Sequence, residues 1–156
     1  MQPQKVWAVY FSGTGTTEKT VRRIASSLAA AFSAPLEAVD FTAPAVRKEA
    51  LTFGPDDLVV LGTPTYAGRV PNVLLPYLTE QIRGAATPAV PVVLFGNRDF
   101  DDSLMELRNI MTANGFVPVA HWGQAVLTRQ IWRRWTILPV QRPRRSAALL
   151  RCLLCQ

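Results

Sequence analysis

Six consecutive residues, Ser12, Gly13, Thr14, Gly15, Thr16 and Thr17, alternate hydroxyls with glycines. Such a stretch suits one task, holding an anion. The glycines let the backbone curl close to a ligand, and the hydroxyls add neutral donors. No lysine lies within the run, so the anion would be gripped without a formal positive charge. An apolar stretch, Val6 to Phe11, precedes it, and an amphipathic stretch, Glu18 to Phe32, follows it. A loop between a strand and a helix start leaves backbone N–H groups free and gains from the helix dipole. The other reading is a glycine-rich turn with no ligand.

The pattern differs from two better-known phosphate loops. It lacks the Gly-Lys-Ser/Thr ending of the ATP and GTP loop. It also lacks the third glycine of the dinucleotide fingerprint, because Glu18 stands there. It does fit a Ser/Thr-x-Thr-Gly-x-Thr phosphate loop.

The elements that must position this loop alternate in type. Lys5–Phe11 is predicted as a first strand and Thr16–Phe32 as a helix, with Val21, Ile24, Ala25, Leu28 and Phe32 on one face. Pro35 stops that helix. Leu36–Phe41 is the second strand, with Asp40 placed to support the next turn, and Pro44–Leu51 a short helical connection. Leu58–Thr63 and Val90–Phe95 read as strands buried on both faces. Pro71–Ile82 reads as a helix in which Pro76 either kinks or restarts the chain. A further helix, capped by Asp101 or Asp102, runs to about Asn114, and Gly115 ends it. Phe116–Ala120 is the fifth strand. Alternation of this kind implies a parallel sheet with helices on both faces.

For a strand order 2-1-3-4-5, ligands bind beyond the carboxyl ends, where the loops after strands one, three and four meet. The second of these loops holds Thr63, Pro64, Thr65, Tyr66, Ala67, Gly68, Arg69, Val70 and Pro71. The third holds Gly96, Asn97, Arg98, Asp99, Phe100, Asp101 and Asp102. Each offers an aromatic, Tyr66 or Phe100, that can cover a flat ligand. A phosphate grip beside two such loops suits a flavin. Each residue also has a plainer reading: Tyr66 packs on Pro64 or Pro71, Phe100 acts as a hydrophobic staple, Asn97 serves a turn, and Arg69 and Arg98 are solvated.

The phosphate loop resembles that of the flavodoxin family. With the two later loops, residues 5–120 look like the flavodoxin part of bacterial proteins that join a flavodoxin domain to a ferredoxin domain. The resemblance implies a flavodoxin-like three-layer α/β sandwich with a five-stranded parallel sheet. It implies FMN as cofactor, electron transfer as function, and ferredoxin-like or reductase proteins as redox partners. Ser12 and Thr14–Thr17 match the family's phosphate loop, with Gly13 among them. Thr63–Gly68 and Gly96–Phe100 match its ring-binding loops. No catalytic residue or metal is implied, and His121, the single histidine, reads as structural or solvated rather than catalytic.

The likeness stops after Ala120. The chain has 156 residues and a formal net charge of +6. Residues 1–120 hold ten Lys/Arg against eleven Asp/Glu, whereas residues 121–156 hold seven Arg and no acid. Three of the four tryptophans also lie in this tail. Its basic character is the only hint of a nucleic-acid or anionic-surface contact. The tail either completes the domain, with a last helix over Ser146–Cys155, or forms a specialised basic surface, or stems from a shifted reading frame. Cys152 and Cys155 are the only cysteines, too few for the four ligands of a [4Fe–4S] cluster, so no ferredoxin part is expected here. No apolar run reaches the roughly 20 residues of a membrane span, and Met1–Lys5 lacks a signal-peptide plan. A cytoplasmic location is the expectation. An FMN-dependent NAD(P)H/quinone-type reductase and a nonredox phosphate- or nucleotide-binding module are the alternatives.

Overall fold

A computed structural model describes residues 2–96 and 99–125 and the backbone of residues 133–134. The elements run β1 (Lys5–Tyr10), α1 (Thr16–Phe32), β2 (Leu36–Asp40), β3 (Leu51–Phe53), β4 (Asp57–Pro64) and α2 (Leu75–Glu80). They continue through β5 (Ile82–Gly84), β6 (Thr87–Phe95), α3 (Ser103–Ala113), β7 (Phe116–Pro118), β8 (Trp122–Ala125) and β9 (Arg133–Arg134).

The main sheet has the order β2-β1-β4-β6-β8-β9, and β7 also pairs with β6. Every pairing in it is parallel except that of β8 with β9. Its five parallel positions therefore follow the expected order 2-1-3-4-5. The fifth position is divided. β7 pairs with Thr87–Ala89 at one end of β6, and β8 with Val92–Phe95 at the other. The single strand expected over Phe116–Ala120 thus stops at Pro118, with one more bond to β6 from Val119 N–H to the Ala89 carbonyl at 2.9 Å, and the sheet resumes at Trp122.

Side chains on β1, β4 and β6 alternate between two cores. Val6, Ala8, Tyr10, Leu58, Val60, Val90 and Val92 pack with Val21, Ile24, Ala25 and Leu28 of α1. Val9, Val59, Leu61 and Val93 pack with Leu74, Tyr77 and Leu78 on one side of the chain's middle, and with Leu107 and Met111 of α3. Strands buried on both faces explain the unbroken apolar runs in the sequence. Each fully buried leucine contributes on the order of 1.5–3 kcal/mol. Gly62 allows α1 its close seat. A Cβ there would overlap the Val21 side chain and press on Thr17.

Two expectations about the middle of the chain need correcting. The connection over Pro44–Leu51 is a single 3-10 turn at Val46–Lys48, after which Leu51 opens β3. The helix expected over Pro71–Ile82 is a 3-10 turn at Asn72–Leu74 followed by the short α2. Pro76 lies in the first turn of α2, where its missing N–H leaves no helical bond unmade. Ile82 belongs to β5, which pairs with β3 in a separate two-stranded parallel sheet. Asn114 holds this region together. Its side-chain amide, buried, donates to the Leu78 carbonyl at 2.6 Å and the Ile82 carbonyl at 2.8 Å, and its Oδ1 accepts from Arg83.

Smaller differences concern ends. β4 and β6 start earlier than expected, and β1 and β2 stop one residue short of Phe11 and Phe41. Asp102 holds the N-cap place of α3 but makes no side-chain cap bond, and Asp101 lies before it with φ 42°. The helix expected over Ser146–Cys155 lies outside the described residues. Among the described residues, no helix is long and apolar enough to cross a membrane.

Candidate functional site

The three loops start from adjacent strands. In register, Tyr10 lies beside Gly62, and Pro64 beside Leu94. The chain therefore leaves β1, β4 and β6 along one rim. Thr65 N–H donates to the Leu94 carbonyl at 2.6 Å, joining the second loop to the end of β6. The Tyr66 hydroxyl lies 3.9 Å from where a Cβ on Gly13 would sit, bringing the second loop against the first.

The first loop is set by the start of α1. Gly15, left-handed at φ 78°, is the N-cap, and its carbonyl accepts from Lys19 N–H at 3.2 Å. Ser12 Oγ accepts from Glu18 N–H at 3.1 Å, so this hydroxyl serves the helix end while keeping its own proton to donate. Ser12 N–H donates to Thr42 Oγ1 at 2.8 Å, and Asp40 Oδ1 accepts from Thr42 N–H at 2.8 Å. Asp40 thus supports the turn after β2, and that turn in turn supports the loop. Thr14 and Thr16 hydroxyls lie 3.2 Å apart. Gly13 and Thr14 are exposed and Thr17 is buried. The N–H groups of residues 13–17 find no acceptor among the described residues. Free N–H groups at a helix start, with hydroxyls beside them, form an anion cradle.

An acid stands next to this cradle, and the fold restrains it. The Glu18 carboxylate accepts from the Tyr10 hydroxyl at 3.1 Å and from Arg22 Nε at 3.0 Å. Arg22 also donates to the Tyr10 oxygen, through Nη2 at 2.9 Å. Burial raises the Tyr10 phenol above its ordinary 10.0, and the Arg22 hydrogen bond pulls the other way. At neutral pH the phenol is a donor to Glu18.

The second loop is a two-residue hairpin turn. Tyr66 and Arg69 exchange backbone hydrogen bonds at 3.0 and 3.1 Å, with Ala67 at φ 50° and Gly68 at φ 76° between them. Two left-handed central residues are the mark of a type I′ turn. Gly68 has a second reason to be glycine, since a Cβ would meet the Asp101 carboxylate. Tyr66 is 55% exposed. Thr65 Oγ1 lies 2.8 Å from Ser103 Oγ at the start of α3. Thr63 is fully buried, and its Oγ1 has no hydrogen-bond partner among the described residues.

Arg69 is neither solvated alone nor aimed at a ligand. Its Nε and Nη2 donate to Glu106 at 3.1 and 2.7 Å, and Val70 N–H donates to the same carboxylate at 2.8 Å. The bond from Arg69 is the main reason the Glu106 carboxyl titrates below its ordinary range. In the third loop, Gly96 and Asp99 are exposed, and Asp99 Oδ1 accepts from Phe100 N–H at 2.8 Å. The Phe100 ring packs edge-on against Phe95 at 5.4 Å and lies over Gly123. That contact favours a packing role, as in the staple reading. Asn97 and Arg98 lie outside the described residues.

Sequence reasoning missed Thr42, Tyr10, Arg22, Ser103 and Glu106. The Asp40-x-Thr42 spacing and the i, i+4 pair Glu18–Arg22 were readable signals. Glu106 offered none, because its partners are 36 and 37 residues away.

No protein-family model matches the chain, and no curated protein matches it. Solved structures do. A flavodoxin from the domain Archaea is 13% identical, with 95% of this chain and 90% of that one covered and a TM-score of 0.56. The rubredoxin oxygen:oxidoreductase of the anaerobe Desulfovibrio gigas is 19% identical over 81% of this chain, with a TM-score of 0.52. This chain spans 32% of that protein. The fold is flavodoxin-like.

Proposed function

We propose that this protein binds FMN noncovalently and carries electrons between partner proteins, a ferredoxin-like protein or a reductase. The observation that carries the reading is the cradle at residues 12–17, with its unbonded N–H groups next to an exposed tyrosine. A phosphate would sit on the N–H groups of residues 13–17 and the hydroxyls of Ser12, Thr14 and Thr16. Tyr66 would cover the flat ring, with Thr63–Gly68 and Gly96–Phe100 around its edge. Both solved structures of similar fold carry names of redox proteins, which supports the assignment.

Bound FMN would supply one- and two-electron transfer. The chain's own work is binding and shielding. Tyr66 excludes water from one face of the ring, and the low dielectric behind it disfavours extra negative charge there. Tyr10 and Arg22 hold the Glu18 charge in a fixed place beside the phosphate grip.

Titrating purified protein with FMN tests this. One equivalent should bind, quench the flavin fluorescence and shift the visible bands. Protein that stays colourless and leaves FMN fluorescence unchanged removes the proposal. Oxidation of NAD(P)H without an added reductase would point instead to a stand-alone quinone-type reductase. Binding of a phosphate ester without FMN would point to a nonredox module.

A further inference from the structure

We propose that Glu106 is a positioning residue, one that fixes the 66–69 turn against α3 and so sets the pose in which Tyr66 covers the ring; this rests on the flavin reading above. The turn has little stability of its own. Its two central residues are left-handed, one of them the alanine at 67, and one reciprocal pair of backbone bonds closes it. A short hairpin of this kind is marginal without outside support. Yet it carries an exposed aromatic whose usefulness depends on being held in place, since ordering it upon binding would cost affinity.

The support comes from α3. Glu106 takes three hydrogen bonds at once: two from the planar fork of Arg69, the last residue of the turn, and one from the N–H of Val70, the next residue. Asp102 N–H donates to the Gly68 carbonyl at 3.1 Å, and Asp101 fills the space where Gly68 has no side chain. Val70 itself is buried in the core. The side chain of Glu106 is 15% exposed, against 59% for Arg69. A carboxylate this enclosed, bonded in bidentate fashion and to a backbone N–H, is a geometric constraint as well as an ion pair. The turn is therefore clamped on its α3 side, while the Tyr66 hydroxyl reaches toward Gly13.

A double-mutant cycle separates positioning from simple stability. Glu106→Ala should weaken FMN binding about tenfold, the equivalent of about 1.4 kcal/mol. Glu106→Gln, which keeps an acceptor for Val70 N–H, should have a smaller effect. In a Tyr66→Ala background the same substitutions should change FMN affinity little. In flavin-free protein, the amides of Tyr66 and Arg69 should exchange faster in both Glu106 variants, while those of α1 keep their protection. An equal loss of affinity with and without Tyr66 would overturn the positioning role. Unchanged exchange at Tyr66 and Arg69 would overturn the clamp itself. Wild-type protein that binds no FMN sinks the flavin reading and the proposed cover with it, and the exchange data still decide whether Glu106 holds the turn.

Discussion

The two halves of the rim are built in opposite ways. The loop at 12–17 is tied mainly to its own neighbourhood: Glu18 N–H bonds Ser12, and Lys19 N–H bonds Gly15. The turn at 66–69 is tied to residues far along the chain, Asp102 and Glu106 above all. One is the beginning of a helix and inherits that helix's rigidity. The other is a small hairpin that depends on a second element packing beside it. A grip for a compact charge needs fixed N–H directions, which a helix start provides. A cover for a flat ring needs an exposed aromatic, which must then be held from behind.

The comparison predicts where damage separates the two halves. Thr14→Asp sets a carboxylate among the free N–H groups, and FMN binding should fall about a hundredfold. Riboflavin, which has no phosphate, should lose little, and fluorescence titration of both ligands gives the contrast. If both fall equally, the grip is not where the phosphate sits.

Acid should act on the other half first. Glu106 titrates below its ordinary 4.5 when folded, chiefly because Arg69 bonds it. The unfolded chain therefore binds this proton at a higher pH than the folded one. The stabilisation is complete above about pH 4.5 and is lost as pH falls through the depressed folded value. Urea midpoints measured from pH 7 to 3 should show this loss, and Glu106→Gln should remove its share of the slope. An unchanged slope in the variant would mean that the clamp does not form in solution.

The smallest effect belongs to Arg22. Its Arg22→Ala variant frees the Glu18 carboxylate beside the proposed phosphate grip, and FMN affinity should fall about threefold at low salt, in keeping with an exposed ion pair. Added salt should erase the difference, because exposed charges are screened. Riboflavin binding should not change.

The contrast also explains what could be read from the sequence. The Gly/Thr loop and α1 were legible because everything that defines them lies within a few turns: the hydroxyl spacing, the period of Val21, Ile24, Ala25 and Leu28, and the stop before Pro35. The central strands were legible as apolar runs. β3 and β5 were not, since three residues such as Leu51–Phe53 or Ile82–Gly84 show no period and form only when paired with each other. The division of α2 from the preceding turn was half visible in Pro76. The bond between Arg69 and Glu106 could not be foreseen, because no local pattern records a partner 37 positions away.

Asn114 carries a consequence for how the molecule comes apart. At six residues, α2 is too short to persist as a helix by itself. Its Leu78 carbonyl, the first carbonyl of β5 and the end of α3 all converge on this one side chain, which is hidden from solvent. These three pieces should therefore open together as one local unfolding event, well below the threshold for losing the central sheet. Among the described residues, a protease offered the native protein would find its first cut between residues 72 and 86, and Asn114→Ala would hasten that cut without touching the strands at the centre.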